Sequence, residues 1–386
     1  MDIENDYWFT IEPYVFINIA NNCALLYNTY DGKILISKKA KVIELLNTFL
    51  QKKDCGVILL KRDLYHNSDI FDFITDLRNK YMGDIIDISF SKGKPIQILP
   101  YYNLNYKNKL YKIHNFSPYK SILEKLSEIS IYIDQTSKAV DLVSFLQTLP
   151  ENVIINIISN NNEIDDNQYF SSFLEKHNSS INIVCSYSNI TLLNLSNTDN
   201  LYYKITVNFP INTKEWDNSI QILSNKNFSF EYILNISSLE DYEMAERLID
   251  QFQIKKYIFK PIYTGGNIDF FKEYVFLTED DILSTTMSIK DFFANQSINI
   301  YEFGKISILP NGDAFANLNH PVLGNIYTHS ISEIVQKEVE EGISWFNIRN
   351  KIPCNTCIYQ WLCPPPSNYE IEIGRMNLCH INTNCN

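Results

Sequence analysis

The sequence predicts an α/β protein in three modules: a winged-helix-like α+β module over residues 1–90, a degenerate partial (β/α) barrel over 91–295, and a cysteine-ligated ribbon over 296–386. Three observations carry that reading. The chain opens on alternating strands joined by a tight turn and followed by two helical patterns. Its middle holds seven short apolar runs, mostly separated by helix-length segments. Its tail, residues 354–386, holds five of the eight cysteines.

In the first module, YVFINIANNCALLYNTYDGKILIS alternates and is rich in β-branched and aromatic residues, and Tyr30-Asp31-Gly32 marks a hairpin because Asp-Gly tolerates positive φ. A three-stranded antiparallel sheet follows. Val42, Leu45, Leu46 and Phe49 recur at helical spacing, as do Ile70, Phe73, Ile74, Leu77 and Tyr81 after a cap at Ser68, with Met82-Gly83-Asp84 as the exit.

This order of strand, hairpin and helix resembles the winged-helix peptide-recognition element of ribosomal natural-product (RiPP) biosynthesis. The resemblance implies that a precursor's leader peptide adds as a further strand beside Lys33, Ile34, Leu35, Ile36 and Ser37, against the helix carrying Ile70, Phe73, Ile74, Leu77 and Tyr81. Backbone hydrogen bonds would give affinity, and alternate side chains in apolar pockets would give register. A winged helix that merely packs on its neighbours fits the same pattern.

From residue 91 the runs PIQILP, ISIYID, NVIINIIS, INIVCSY, YYKITVNF, FEYILNIS and KKYIFKPI alternate with segments such as SKAVDLVSFLQTL and SLEDYEMAERLIDQF. Strands that are apolar at nearly every position suit a parallel sheet covered on both faces, and the βα alternation predicts a fully or partly closed barrel. In the last module Asn311-Gly312-Asp313 forms a turn between two short strands, and a helix is capped near Ser330 or Ser332.

The tail reads IPCNTCIYQWLCPPPSNYEIEIGRMNLC, placing Cys354, Cys357, Cys363 and Cys379 close together, whereas the preceding 353 residues hold only Cys23, Cys55 and Cys185. A CxxC pair turns two sulfurs toward one point, and two further thiolates complete a tetrahedral cup for zinc or an iron–sulfur cluster. Cys385 or His380 stands as an alternative to Cys379. The N-terminal residues do not read as a charged-then-apolar leader with a small-residue cleavage site, and a protein of 386 residues builds a core without disulfides, so a reduced, cytoplasmic setting is expected.

The tail and its hairpin are similar to the auxiliary cluster-binding SPASM domain of radical S-adenosylmethionine (SAM) peptide-modifying enzymes. The stretch CPPPSNYE resembles the pseudo-radical-SAM subfamily of Bacteroidales peptide-modification systems, over essentially the whole chain. The resemblance implies one auxiliary [4Fe-4S] cluster on Cys354, Cys357, Cys363 and Cys379, with zinc as the alternative. The places of the family's second cluster read IYEFGK and FANLN, and Ser367 stands where another ligand would be. Absences are equally informative. After PIQILP the chain reads YYNLNYKNKLYKIHN, without the CxxxCxxC that binds the catalytic cluster, and the second barrel strand ends in Asp134-Gln135-Thr136 where the family has a Gly-Gly-Glu-type turn. No SAM is expected to bind, and no catalytic residue is assigned.

Charge and composition narrow the partners. A net charge of −12 with dispersed lysines argues against nucleic acid, including a DNA-binding role for the winged helix. No apolar run approaches the roughly 18 residues that span a bilayer. The 25 Tyr and 23 Phe supply core and surface for a protein partner. His66, His114, His177, His320, His329 and His380 sit in no nucleophile motif, Thr264-Gly265-Gly266-Asn267 reads as a turn, and Asp165-Asp166 and Asp280-Asp281 read as helix caps. The expectation is a non-catalytic subunit that binds a ribosomal precursor and forms a heterodimer with an active radical SAM protein. An iron–sulfur electron-transfer subunit and an independent peptide-modifying enzyme are the alternatives.

Overall fold

The computed structural model describes residues 6–97, 120–159, 179–192, 201–225 and 229–381. The stretch YYNLNYKNKLYKIHN, His114, His177, Asp165-Asp166 and Cys385 lie outside them.

The N-terminal module contains β1 (Tyr7–Ile11), β2 (Val15–Ala20), β3 (Cys23–Asn28), β4 (Ile34–Ser37), β5 (Val57–Leu60) and β6 (Gly83–Asp87), in two three-stranded antiparallel sheets ordered β5-β1-β6 and β2-β3-β4. The second is the expected hairpin sheet, and its turn uses Gly32 at φ +72°. The first differs from expectation. Residues 83–87 do not leave the module but return as β6 to pair with β1. Gly83 permits that return, because a Cβ there would meet Thr10 O at 2.5 Å.

Two helices fill the space between the sheets. Ala40–Phe49 buries Val42, Leu45, Leu46 and Phe49, and Ser68–Asn79 buries Ile70, Phe73, Ile74 and Leu77. Each such side chain contributes about 1.5–3 kcal/mol when withdrawn from water. The second helix starts at Ser68, but its cap position is Asn67, without a side-chain capping bond.

The remaining strands are β7 (Glu128–Ile133), β8 (Ile154–Ser159), β9 (Ile181–Ser186), β10 (Leu201–Val207), β11 (Phe230–Ile236), β12 (Tyr257–Pro261), β13 (Lys305–Ile308), β14 (Asp313–Phe315) and β15 (Gly324–Asn325). They form one nine-stranded, mostly parallel sheet ordered β12-β11-β10-β9-β8-β7-β13-β14-β15. From β7 to β12 each strand adds on the same side of its predecessor, as right-handed βα crossovers wound in one direction require. Among the described residues the sheet stays open, with β12 and β15 as its edges, so the expected barrel closure is absent there.

The neighbour of β7 departs from the sequence reading. PIQILP was expected as the first barrel strand, yet residues 95–97, its described part, are irregular and tied to the N-terminal module: the Gln97 N–H donates to Cys55 O at 2.9 Å, and its side chain accepts from Thr10 Oγ1 at 2.7 Å. The position beside β7 belongs to β13, which pairs with it in parallel over residues 128–131. A strand has two hydrogen-bonding edges, and β8 holds the other. The C-terminal hairpin is therefore continuous with the central sheet. Its core includes Trp216 and Trp345, both fully buried. Among the described residues no helix is long and apolar enough to cross a membrane.

Candidate metal centre

Pro353 initiates a tight turn over Cys354–Thr356, and the Cys357 N–H closes it on Cys354 O at 3.0 Å. Two further turns follow, with Gln360 N–H on Cys357 O and Cys363 N–H on Tyr359 O. This succession brings three cysteines to one side of residues 354–363. The chain then runs through three prolines into the helix Asn368–Ile373, ends it at Gly374 with φ +72°, and returns so that Cys379 bridges Leu277. Ser367 caps that helix with Glu370, so the residue standing at the absent cluster's ligand position has a local structural task.

Cys354, Cys357, Cys363 and Cys379 line one small cavity of about 20 Å³, walled by Leu277, Leu378, Ile381, Arg349 and Asn377. Burial pushes the Cys363 thiol up to about 12, opposed by Arg349 and reinforced by the other three cysteines. Burial likewise raises Cys354, against the pull of Arg349. His380 turns away, with Nε2 within 2.7 Å of Lys272 O. Among the described residues no set of three or more His, Cys, Asp or Glu side chains yet converges on a metal point. Two sulfurs instead accept hydrogen bonds, Cys354 from Arg349 Nη1 at 3.6 Å and Cys379 from Asn377 Nδ2 at 3.1 Å. The donor set nonetheless fits a tetrathiolate centre, because four sulfurs line one cavity and a cation would offset the cost of ionising them together.

Asparagines hold the frame, and the sequence reading did not identify them. Asn18 on β2 donates to the carbonyls of Cys357 and Ile358, Asn295 to those of Trp361 and Cys363, and Asn299 to that of Pro366. Asn18 also shows that the N-terminal sheet docks here. Phe16, Cys23, Leu25 and Tyr27 share one apolar cluster with Phe292, Cys357, Ile358, Leu362 and Cys363, and Phe16 stacks on Phe292 at 3.9 Å between centroids. The signal was present in β3, CALLYN, which is buried at all six positions instead of alternating. Of the isolated cysteines, Cys23 and Cys185 are buried and Cys55 is exposed.

The residues named for peptide binding divide into two groups. Ile34, Leu35, Ile36 and Ser37 form β4, which pairs only with β3 among the described residues and so presents an open edge. Lys33 pairs with Asp31 and lies over the Tyr81 ring, and Ile36 and Tyr81 are exposed. Ile70, Phe73, Ile74 and Leu77, by contrast, are core residues exposed by 5% or less. They position the helix beside β4 and present no groove surface themselves. The helix's exposed apolar residue is Phe71, and an ion pair from Lys39 to Asp69 at 3.2 Å ties the exit of β4 to the helix start.

The other sequence candidates are engaged locally. Asn267 bonds Thr264 N, Ser237 O and Ile262 O, which makes the Gly-Gly segment a fixed turn. Asp281 completes a capping box with Thr278.

No family model matches the chain, and no curated protein matches it. Among solved structures, the crystal structure of E. coli MccB with SeMet MccA aligns at 14% identity over 68% of this chain and 85% of that chain, with a TM-score of 0.19. At that score the likeness carries no argument about fold or function.

Proposed function

We propose that this chain is a catalytically degenerate, radical-SAM-like accessory subunit that binds a ribosomal precursor peptide and supports an active radical SAM partner in modifying it. The observation that carries the reading is the joining of two features in one core: the sheet whose edge β4 is open also packs on the cysteine knuckle through Phe16, Leu25 and Tyr27. A leader peptide would extend the sheet at β4, with Ile36, Phe71 and Tyr81 as exposed apolar contacts. Cys354, Cys357, Cys363 and Cys379 would hold the metal, which stabilises the knuckle on which that sheet rests. The resemblance to SPASM domains favours a [4Fe-4S] cluster. Zinc is the alternative, since four thiolates in a tetrahedral cup suit either centre. Rate enhancement would come from raising the local concentration of substrate at the partner.

Anaerobic co-purification with the catalytic partner and precursor, followed by iron, sulfide and zinc analysis, tests the reading. A stable ternary complex with metal on this chain supports it, and a chain that binds neither partner defeats it. Within that complex Ile36→Asp is expected to weaken leader binding roughly tenfold or more, because an apolar contact of about 1.5–3 kcal/mol is lost. The electron-transfer alternative predicts instead that removing the cluster leaves peptide affinity intact and abolishes turnover. SAM cleavage by the isolated chain would establish the independent-enzyme alternative.

A further inference from the structure

One buried side chain reaches, directly or through Glu370, the segments that bring the cysteines to the cavity. Arg349, exposed by only 8%, lies in the cavity wall beside the four sulfurs. Its Nη1 donates to Cys354 Sγ at 3.6 Å and to Glu370 Oε1 at 2.7 Å, its Nε donates to Pro364 O next to Cys363, and its own carbonyl accepts from Gln360 Nε2 at 2.6 Å. Glu370, exposed by 3%, also accepts from the Ser367 N–H and so fixes the helix that leads to Cys379.

Stability alone does not explain this arrangement. A buried ion pair is at best about as stabilising as well-packed apolar residues of the same volume, because desolvation of both charges offsets their attraction. What the pair adds is a fixed, planar donor aimed at sulfur. Four thiolates around a dication carry surplus negative charge, which a guanidinium at hydrogen-bonding distance neutralises.

We propose that Arg349, oriented by Glu370, is a positioning residue for the tetrathiolate centre: it donates to the Cys354 sulfur and holds the three ligand-bearing segments in register around the metal. This inference rests on the metal reading above. It assigns Arg349 a role toward the ligands and none toward a substrate.

The test uses the full-length protein, purified anaerobically with its metal, and follows metal loss under a fixed EDTA challenge alongside the sulfur-to-metal charge-transfer absorption. The double variant Arg349→Met/Glu370→Met removes both charges together and leaves neither orphaned. It is expected to fold and to lose metal roughly 10- to 100-fold faster, the usual effect of removing an outer hydrogen-bond partner of a metal ligand. Arg349→Lys keeps the cation without the planar fork, and is expected to lose metal faster and to shift the charge-transfer band. If the double variant does not fold, Arg349→Lys decides the matter on the same two readouts. Metal retention and absorption equal to the wild type in the deciding variant would overturn the inference and leave Arg349 as half of a structural ion pair, with the metal centre intact. A wild-type protein that holds no metal, with all four thiols open to a thiol reagent, would instead overturn the metal reading itself.

Discussion

The rim of the central sheet and the C-terminal knuckle both gather polar side chains, but they spend them differently. At the carboxyl ends of the parallel strands, where such folds usually place their chemistry, Asp134 accepts from Thr136, Ser186 bonds Ser188, Asn235 donates to Asn208, and Asp241 accepts from Ser237. These groups bond one another within a few residues or across to the adjacent strand, although Asn235 Oδ1 is buried without a hydrogen-bond partner. At the knuckle, Arg349 and Asn377 reach sulfurs, while Asn18, Asn295 and Asn299 reach backbone carbonyls from distant parts of the chain. Long-range polar contacts to the backbone that carries the cysteines fix its course, and leaving a member of such a network unpaired is costly. The contrast makes the tail the first place to test for specialised chemistry.

The largest test of that contrast is Cys357→Ala. A tetrathiolate centre that staples the knuckle contributes on the order of 10 kcal/mol if it behaves as structural zinc does. The variant is expected to lose metal and to lose the cooperative unfolding shared by knuckle and N-terminal sheet, read by circular dichroism during denaturant titration. A folded, assembled but inactive complex would break the comparison in favour of electron transfer.

A smaller effect probes the joint between the two regions. Phe16 is 1% exposed and stacks on the fully buried Phe292. Phe16→Ala is expected to cost about 3–5 kcal/mol through lost burial and the cavity left behind. If the sheet and knuckle are one unit, metal release under chelator should quicken in the same variant. Destabilisation with unchanged metal release would show that the two regions share a surface without sharing a function.

The sequence made the strands and the clustering of the four cysteines legible for a physical reason: both depend on short-range pattern. Six of the seven central apolar runs are strands β7 to β12, and the four cysteines line one cavity. What was not legible depends on pairing over long distances. Nothing local distinguishes ISIL at β13 from any other apolar run, so its place beside β7, in preference to PIQILP, follows only from the three-dimensional competition for that edge. Likewise YWFT reads as one more strand, and its partners β5 and β6 lie about 50 and 80 residues away along the chain. Arg349 and Glu370 stand on either side of Cys354, Cys357 and Cys363 in sequence, yet nothing in their spacing announces an ion pair. CALLYN was the missed local clue, since an edge hairpin with one free face should alternate and this strand does not.

The smallest expected effect concerns the sheet rim, and there a null result sharpens the comparison. Asp134 is held below its usual carboxylate range first by the side-chain hydrogen bond from Thr136 and then by that residue's N–H. A depressed native pKa contributes stability above the unfolded value and loses it as the pH falls through the native one. The carboxylate is fully exposed, so solvent screens the interaction. Asp134→Asn retains an acceptor for the Thr136 N–H and is expected to leave the acid limb of the unfolding curve, the metal content and leader-peptide affinity unchanged. A measurable fall in peptide affinity or in complex formation would place a working group at the strand ends and end the distinction between rim and tail.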